Sequence, residues 1–80
     1  MKAKVEVFLK PGVLDVQGKA VENALHGLGW PGAGNVRVGW VLTFDVAAAD
    51  AAAARSEVEA MCERLLANPV IESWRIEVGA

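Results

Sequence analysis

His26 is the one histidine of this 80-residue chain and Cys62 its one cysteine, so acid–base or nucleophilic chemistry would have to be built around them. Nucleophilic catalysis sets a hydroxyl or thiol beside a base that takes its proton. The nucleophiles on offer are Cys62, Ser56, Ser73 and Thr43. Cys62 falls in an apolar stripe beside Met61 and Leu65, and burial in such surroundings holds a thiol in its unreactive protonated form. His26 belongs to the stretch DVQGKAVENALHGLG, residues 15–29, where Lys19, Asn23 and His26 recur at spacings of four and three on one helical stripe. Two readings compete for that stripe. One is a solvated face, with His26 placed favourably near the helix C-terminus. The other is a contact surface for another protein. Glu59 and Glu63 also share a helix face, but on the charged, solvated side. A metal site wants clustered His, Cys and carboxylate ligands, and one His and one Cys on different stripes supply no such cluster. Phosphate cradles lie between a strand and a helix N-terminus, whereas Gly27, Gly29, Gly32 and Gly34 follow a helical segment. The expectation is no catalytic residue, no metal and no cofactor bound by this chain.

The bulk properties narrow the partners. A net charge of −2 is no footprint for a nucleic-acid binder, whose mark is a basic patch. No run of about twenty apolar residues exists to cross a membrane. The start, MKAKVEV, alternates where a signal peptide would run apolar. With its single cysteine, the chain is expected in a reducing cytoplasm. Hydrophobic residues make up 54% and charged residues 22%, which reads as globular, and the length predicts one domain over 1–80. A chain of this size buries only about 60–65% of the surface its unfolded form exposes. Three tryptophans therefore need cover that one small core supplies poorly. A partner chain is the expected remedy.

The elements that must position these residues follow from periodicity. Residues 3–10 alternate, with Val5, Val7 and Leu9 on one face, and predict a half-buried strand. Asp15 is placed to cap a helix in which Val16, Ala20, Val21, Ala24, Leu25 and Leu28 form an apolar stripe, with Gly27 or Gly29 at its end. Over 35–46, Val36, Val38, Trp40, Leu42, Phe44 and Val46 keep one parity. Either a three-residue hairpin connection at Gly39–Val41 or one long strand bent at Gly39 preserves it, and the hairpin is the preferred expectation. Asp50 caps a second helix whose buried stripe is Ala54, Val58, Met61, Cys62, Leu65 and Leu66. Asn68-Pro69 stops it, and 70–78 forms a last strand with Val70, Trp74, Ile76 and Val78 on one face. The order β-α-β-β-α-β predicts an α+β fold, a four-stranded antiparallel sheet with both helices on one face, dimeric through its leftover apolar surface.

Three segments carry a family resemblance. VLDVQGKAVENALHGLG is similar to V-L-D-P-Q-G-x-A-V-x-x-A-L-x-x-L-G, VRVGW to V-R-x-G-K, and MCERLLANPVIESWRIEV to M-C-x-x-L-L-A-N-P-V-I-E-x-[YW]-x-[IV]-x-[VL]. In this order and at this length they resemble PurS, the small subunit of phosphoribosylformylglycinamidine synthase. Val16 stands where proline is usual and Trp40 where lysine is usual. The resemblance implies a non-catalytic dimer, with a tetramer as a further possibility, that bridges a glutaminase subunit and an ATP- and magnesium-using synthetase subunit in purine biosynthesis. Caps and turns explain Asp15, Gly18, Gly39, Asp50, Asn68 and Pro69. Gln17, His26, Arg37, Trp40 and Glu72 are left as expected contacts between chains. The alternative is a regulatory ACT domain binding a small molecule, which the segment KPGVLDVQGKAVENAL also resembles. An acylphosphatase of the same topology would need an anion loop with arginine, and Val13–Gly18 contains none.

Overall fold

The computed structural model describes residues 1–79. Three strands and two helices follow in the order β1 (Lys2–Leu9), α1 (Val16–Gly27), β2 (Gly39–Asp45), α2 (Ala51–Met61) and β3 (Glu72–Gly79). A π-helical turn, Cys62–Leu66, extends α2. The sheet is antiparallel with β1 in the centre, in the order β2-β1-β3. The class is α+β as expected, but the sheet has three strands and not four.

The missing strand is the predicted hairpin. Trp40 to Asp45 pair without interruption against Val7 to Lys2, and Gly39 pairs with Phe8, so no turn falls at 39–41. Residues 36–38 run on to β2 without a strand partner. Their amides are taken by side chains instead: Val36 donates to a Glu22 carboxylate oxygen at 3.2 Å and Val38 to Asp15 Oδ2 at 2.7 Å. A segment held by carboxylates keeps the same parity as one held in a sheet, so the pattern could not separate the two. Val70 likewise falls outside β3, in the exposed turn before it.

Packing is lopsided. Ala3, Val5 and Val7 of β1, Val46, and Ile76 of β3 form a core with Ala54 and Val58 of α2 and Cys62 at the start of the π-helical turn. The spacing of four along α2 lays those last three in one stripe over the sheet. Among the described residues, no side chain larger than valine is fully buried. Met61 and Leu65, expected in the stripe, are exposed; for Leu65 the wide turn at Cys62–Leu66 rotates the side chain outward, to 84% exposure. The other face of the sheet carries charge: Lys4 meets Glu6 and Glu77, Arg75 meets Glu6, and Lys2 meets Asp45, at 3.2–4.0 Å. Such exposed pairs keep that face in water and contribute little to stability.

Helix α1 does not lie on the sheet, contrary to the expectation of two helices on one face. Its apolar residues Val16, Val21 and Leu28 face solvent, and only Gly18 is buried within it. The molecule measures 50 × 26 × 14 Å with a radius of gyration of 15.9 Å, where a compact chain of this length reaches about 12 Å. Asp15 fixes the departure of this arm. Oδ1 accepts from Gly18 N–H at 2.7 Å and caps α1, while Oδ2 holds Val38. Both bonds favour the carboxylate, so its pKa lies below the ordinary 3.8, with the Gly18 amide the largest cause and the Val38 amide next.

Two predictions follow from these close contacts. A Cβ at Gly18 would run into the Val36 carbonyl oxygen, and one at Gly39 would lie 2.5 Å from the Val7 carbonyl oxygen. Gly18→Ala and Gly39→Ala should each lower unfolding stability by about 1–3 kcal/mol in urea titrations. Gly12→Ala and Gly34→Ala, with open space around them, should stay within about 0.5 kcal/mol of the parent. For Asp15, a lowered folded-state pKa contributes stability above the unfolded value that is lost as pH falls through the folded one. The urea midpoint of Asp15→Asn should therefore lie below the parent's at neutral pH. That gap should close in the acid range below 3.8. A gap independent of pH would contradict the assignment.

Candidate subunit interface

The arm is built by local bonds and leaves its apolar side uncovered. Gly29, at φ +105°, closes α1 in the left-handed conformation that glycine adopts freely. Trp30 N–H then returns to the Leu25 carbonyl at 3.0 Å. His26 clasps the loop: its Nε2–H donates to the Ala33 carbonyl oxygen, 2.6 Å away. Asn35 takes a positive φ of 53°, which asparagine tolerates, and turns the chain back along α1. Glu22 holds the returning segment at Val36, and that amide, ahead of Lys19 at 3.4 Å, keeps its carboxyl below its usual pKa. The result is an ordered arm whose exposed surface includes Leu14, Val16, Val21, Leu28 and Trp30. Contiguous apolar surface of this kind on an ordered element marks an interaction site.

A second exposed apolar group lies at the far end of α2, where Met61 and Leu65 stand out and Phe44, Leu66 and the stem of Arg64 line a groove of about 420 Å³. Val70 and Ile71 stand exposed in the turn that follows. Asn68 makes that turn: its Oδ1 accepts from Val70 N–H at 3.1 Å and its carbonyl from Glu72 N–H at 2.7 Å. Glu72 reciprocates by accepting from Asn68 N–H at 2.7 Å. Lys10 Nζ adds a bond to the Pro69 carbonyl at 2.8 Å.

The five residues expected to touch other chains divide. Gln17 and Trp40 are exposed, Trp40 at the start of β2 with about half its surface in solvent. His26 is exposed yet also clasps the arm loop. Arg37 donates to the Lys10 carbonyl at 3.0 Å, and Glu72 ties its own turn, so both have partners inside the chain. Asp15, Gly18, Gly39, Asp50, Asn68 and Pro69 sit at caps, turns or close approaches, with Asp50 accepting from Ala53 N–H at 2.8 Å. Glu22 escaped the sequence reading, since its role depends on an amide fourteen residues away and no local pattern signals that.

Cys62 is fully buried, and burial, then Glu59 and Glu63, pushes its thiol pKa up. His26 lies on the arm, away from it. Among the described residues, no three His, Cys, Asp or Glu side chains group to hold a metal ion. No helix is long and apolar enough to cross a membrane.

Known proteins share this arrangement. Residues 2–80 match the family described as PurS, phosphoribosylformylglycinamidine (FGAM) synthase. The PurS subunit of phosphoribosylformylglycinamidine synthase from Bacillus subtilis is 44% identical over 77 residues, covering 96% of this chain and 90% of that one. The Synechocystis PurS subunit is 40% identical over 77 residues, covering 96% and 77%. In three dimensions, Bacillus subtilis PurS superposes with a TM-score of 0.89 at 43% identity, covering 99% and 98% of the two chains. A chain in the structure of PurLQS from Thermotoga maritima superposes with a TM-score of 0.86 at 28% identity, covering 95% and 93%. Sequence and backbone agree almost end to end, and on that ground the chain belongs to the PurS family.

Proposed function

We propose that this chain is the non-catalytic bridging subunit of a phosphoribosylformylglycinamidine synthase in purine biosynthesis. It holds a glutaminase subunit and an ATP-dependent synthetase subunit in fixed relation. The observation that carries the reading is the nearly full-length likeness to a chain of PurLQS from Thermotoga maritima, joined to an ordered apolar arm with nothing of its own to cover. Glutamine, ATP and magnesium are handled by the partner subunits, and this chain binds none of them. The setting is the cytoplasm.

The physical need is for fixed distance. Ammonia freed from glutamine is protonated once it reaches bulk water, and ammonium is no nucleophile. A rigid bridge keeps the releasing and consuming sites aligned so that ammonia passes between them unprotonated. The bridge itself is a dimer of this chain. Two copies bury each other's arms, α1 with its Val21 and Leu28 side lying over the sheet half that α2 leaves open, beside Trp40 and Leu42. The arm's loop and the Asn68–Glu72 turn are then left to the partner subunits, with Gln17, His26, Arg37 and Glu72 among the contacts there and Trp40 a contact within the dimer.

Three outcomes check this. In an assay reconstituted with glutaminase and synthetase subunits, omitting this chain should abolish glutamine-dependent turnover and spare turnover on added ammonia. Unchanged glutamine-dependent activity would overturn the bridging role. Val21→Asp with Leu28→Asp should convert a dimer into an 8.5 kDa species in sedimentation equilibrium. The parent sedimenting as a monomer at high concentration would refute the dimer. Arg37→Ala with Glu72→Ala should weaken capture of the partner subunits roughly tenfold or more, the loss expected when an interface loses about 1.4 kcal/mol.

A further inference from the structure

The two edges of the sheet differ. Met1 and Val46 exchange both backbone bonds, at 2.9 and 2.8 Å. Antiparallel pairs alternate between bonded and non-bonded. Odd-numbered residues of β1 therefore bond to β2, and the N–H and C=O groups of Val41 and Thr43 point away from the sheet. On the other side, Lys10 N–H bonds to the Ile71 carbonyl at 2.9 Å. The same alternation along the β1–β3 register turns the backbone of Trp74, Ile76 and Val78 outward. Each edge thus displays unpaired backbone groups, a template for any arriving strand.

Among the described residues, only the β3 edge is guarded. Arg55 Nη2, from α2, donates to the Ile76 carbonyl oxygen at 3.2 Å, at the middle of that outward row. One helical turn on, Glu59 accepts from Trp74 Nε1–H at 3.1 Å and holds the indole against the same edge. Residues four apart lie on one helix face, so α2 presents both groups to β3 as it packs the core through Ala54 and Val58. A strand adding to β3 would have to displace the guanidinium from Ile76 and forgo its charge-assisted hydrogen bond to take that carbonyl for itself. Nothing equivalent reaches Val41 or Thr43 among the described residues.

We infer that Arg55, seated on the Ile76 carbonyl with Glu59 and Trp74 beside it, closes the β3 edge to strand addition by a second copy of this chain, and so keeps self-association finite. The inference is independent of the bridging role, since it concerns the isolated chain. The test is Arg55→Ala, studied by sedimentation velocity over a concentration series, with hydrogen exchange of the β3 amides. The variant is expected to populate species beyond the parent's largest one, with Ile76 and Val78 amides exchanging roughly tenfold more slowly in them. An unchanged size distribution with the fold intact would make Arg55 a mere tie between α2 and β3 and overturn the inference. Association accompanied by faster exchange at Ile76, Val78 and their β1 neighbours would mean aggregation through unfolding, and would overturn it too. Should the alanine variant fail to fold, Arg55→Gln, which keeps the stem and removes the charge, is read by the same two measurements.

Discussion

Everything in this molecule answers to the smallness of what it can bury alone. One helix lies over one face of a three-stranded sheet, and the side chains fully enclosed between them are valine-sized or smaller. A seam of Ala3, Val5, Val7, Ala54, Val58, Cys62 and Ile76 is tight but short of the apolar area on which larger domains rely. Leu42, Phe44, Leu66 and Trp74 cover it only in part, and many large apolar side chains are left in solvent: Leu14, Leu28 and Trp30 on the arm, Trp40 and Val41 on β2, Leu65 on the turn beyond α2. A fold that encloses its small residues and displays many of its large ones has its packing surplus directed outward. That arrangement presents apolar surface for other polypeptides to cover.

The arm is where this outward direction becomes specific. A loose apolar helix would be an aggregation hazard. Here it is ordered before any partner arrives, by Asp15 gripping Gly18 and Val38, by Glu22 gripping Val36, and by His26 closing the loop onto Ala33. Pre-ordering removes the entropy that a floppy segment would lose on association. The close fit of Gly18 beneath the Val36 carbonyl explains why a residue without a side chain stands in the first turn of a helix, a place where glycine otherwise weakens the structure.

Much of this was legible in the sequence, and the part that was not has a common cause. The alternation in β1 and β3, the caps Asp15 and Asp50, and the burial of Ala54, Val58 and Cys62 in one stripe all rest on local spacing, and local spacing carried them. The hairpin and the seating of α1 did not. Both depend on where the Asp15 side chain reaches, twenty-three residues down the chain, and on whether a helix finds its cover in its own sheet or in another polypeptide. An apolar stripe says that a face will be covered and is silent on what covers it. The family motifs pointed to other polypeptides as the cover, yet left the strand count and the seating of α1 undecided. Leu65 shows the same limit at smaller scale: its spacing fits the buried stripe, and a single widened turn sends it to solvent.

The three indoles occupy three different settings, and that has a practical consequence. Trp74 is tethered to Glu59 against the sheet, Trp40 opens β2 half in solvent, and Trp30 tips the arm at 60% exposure. Ultraviolet emission from this chain is therefore a composite in which one fluorophore reports the folded sheet and two report their surroundings. Docking against another polypeptide would dry the last two and blue-shift them while the first stayed constant. The molecule carries its own optical gauge of company kept, with no dye attached.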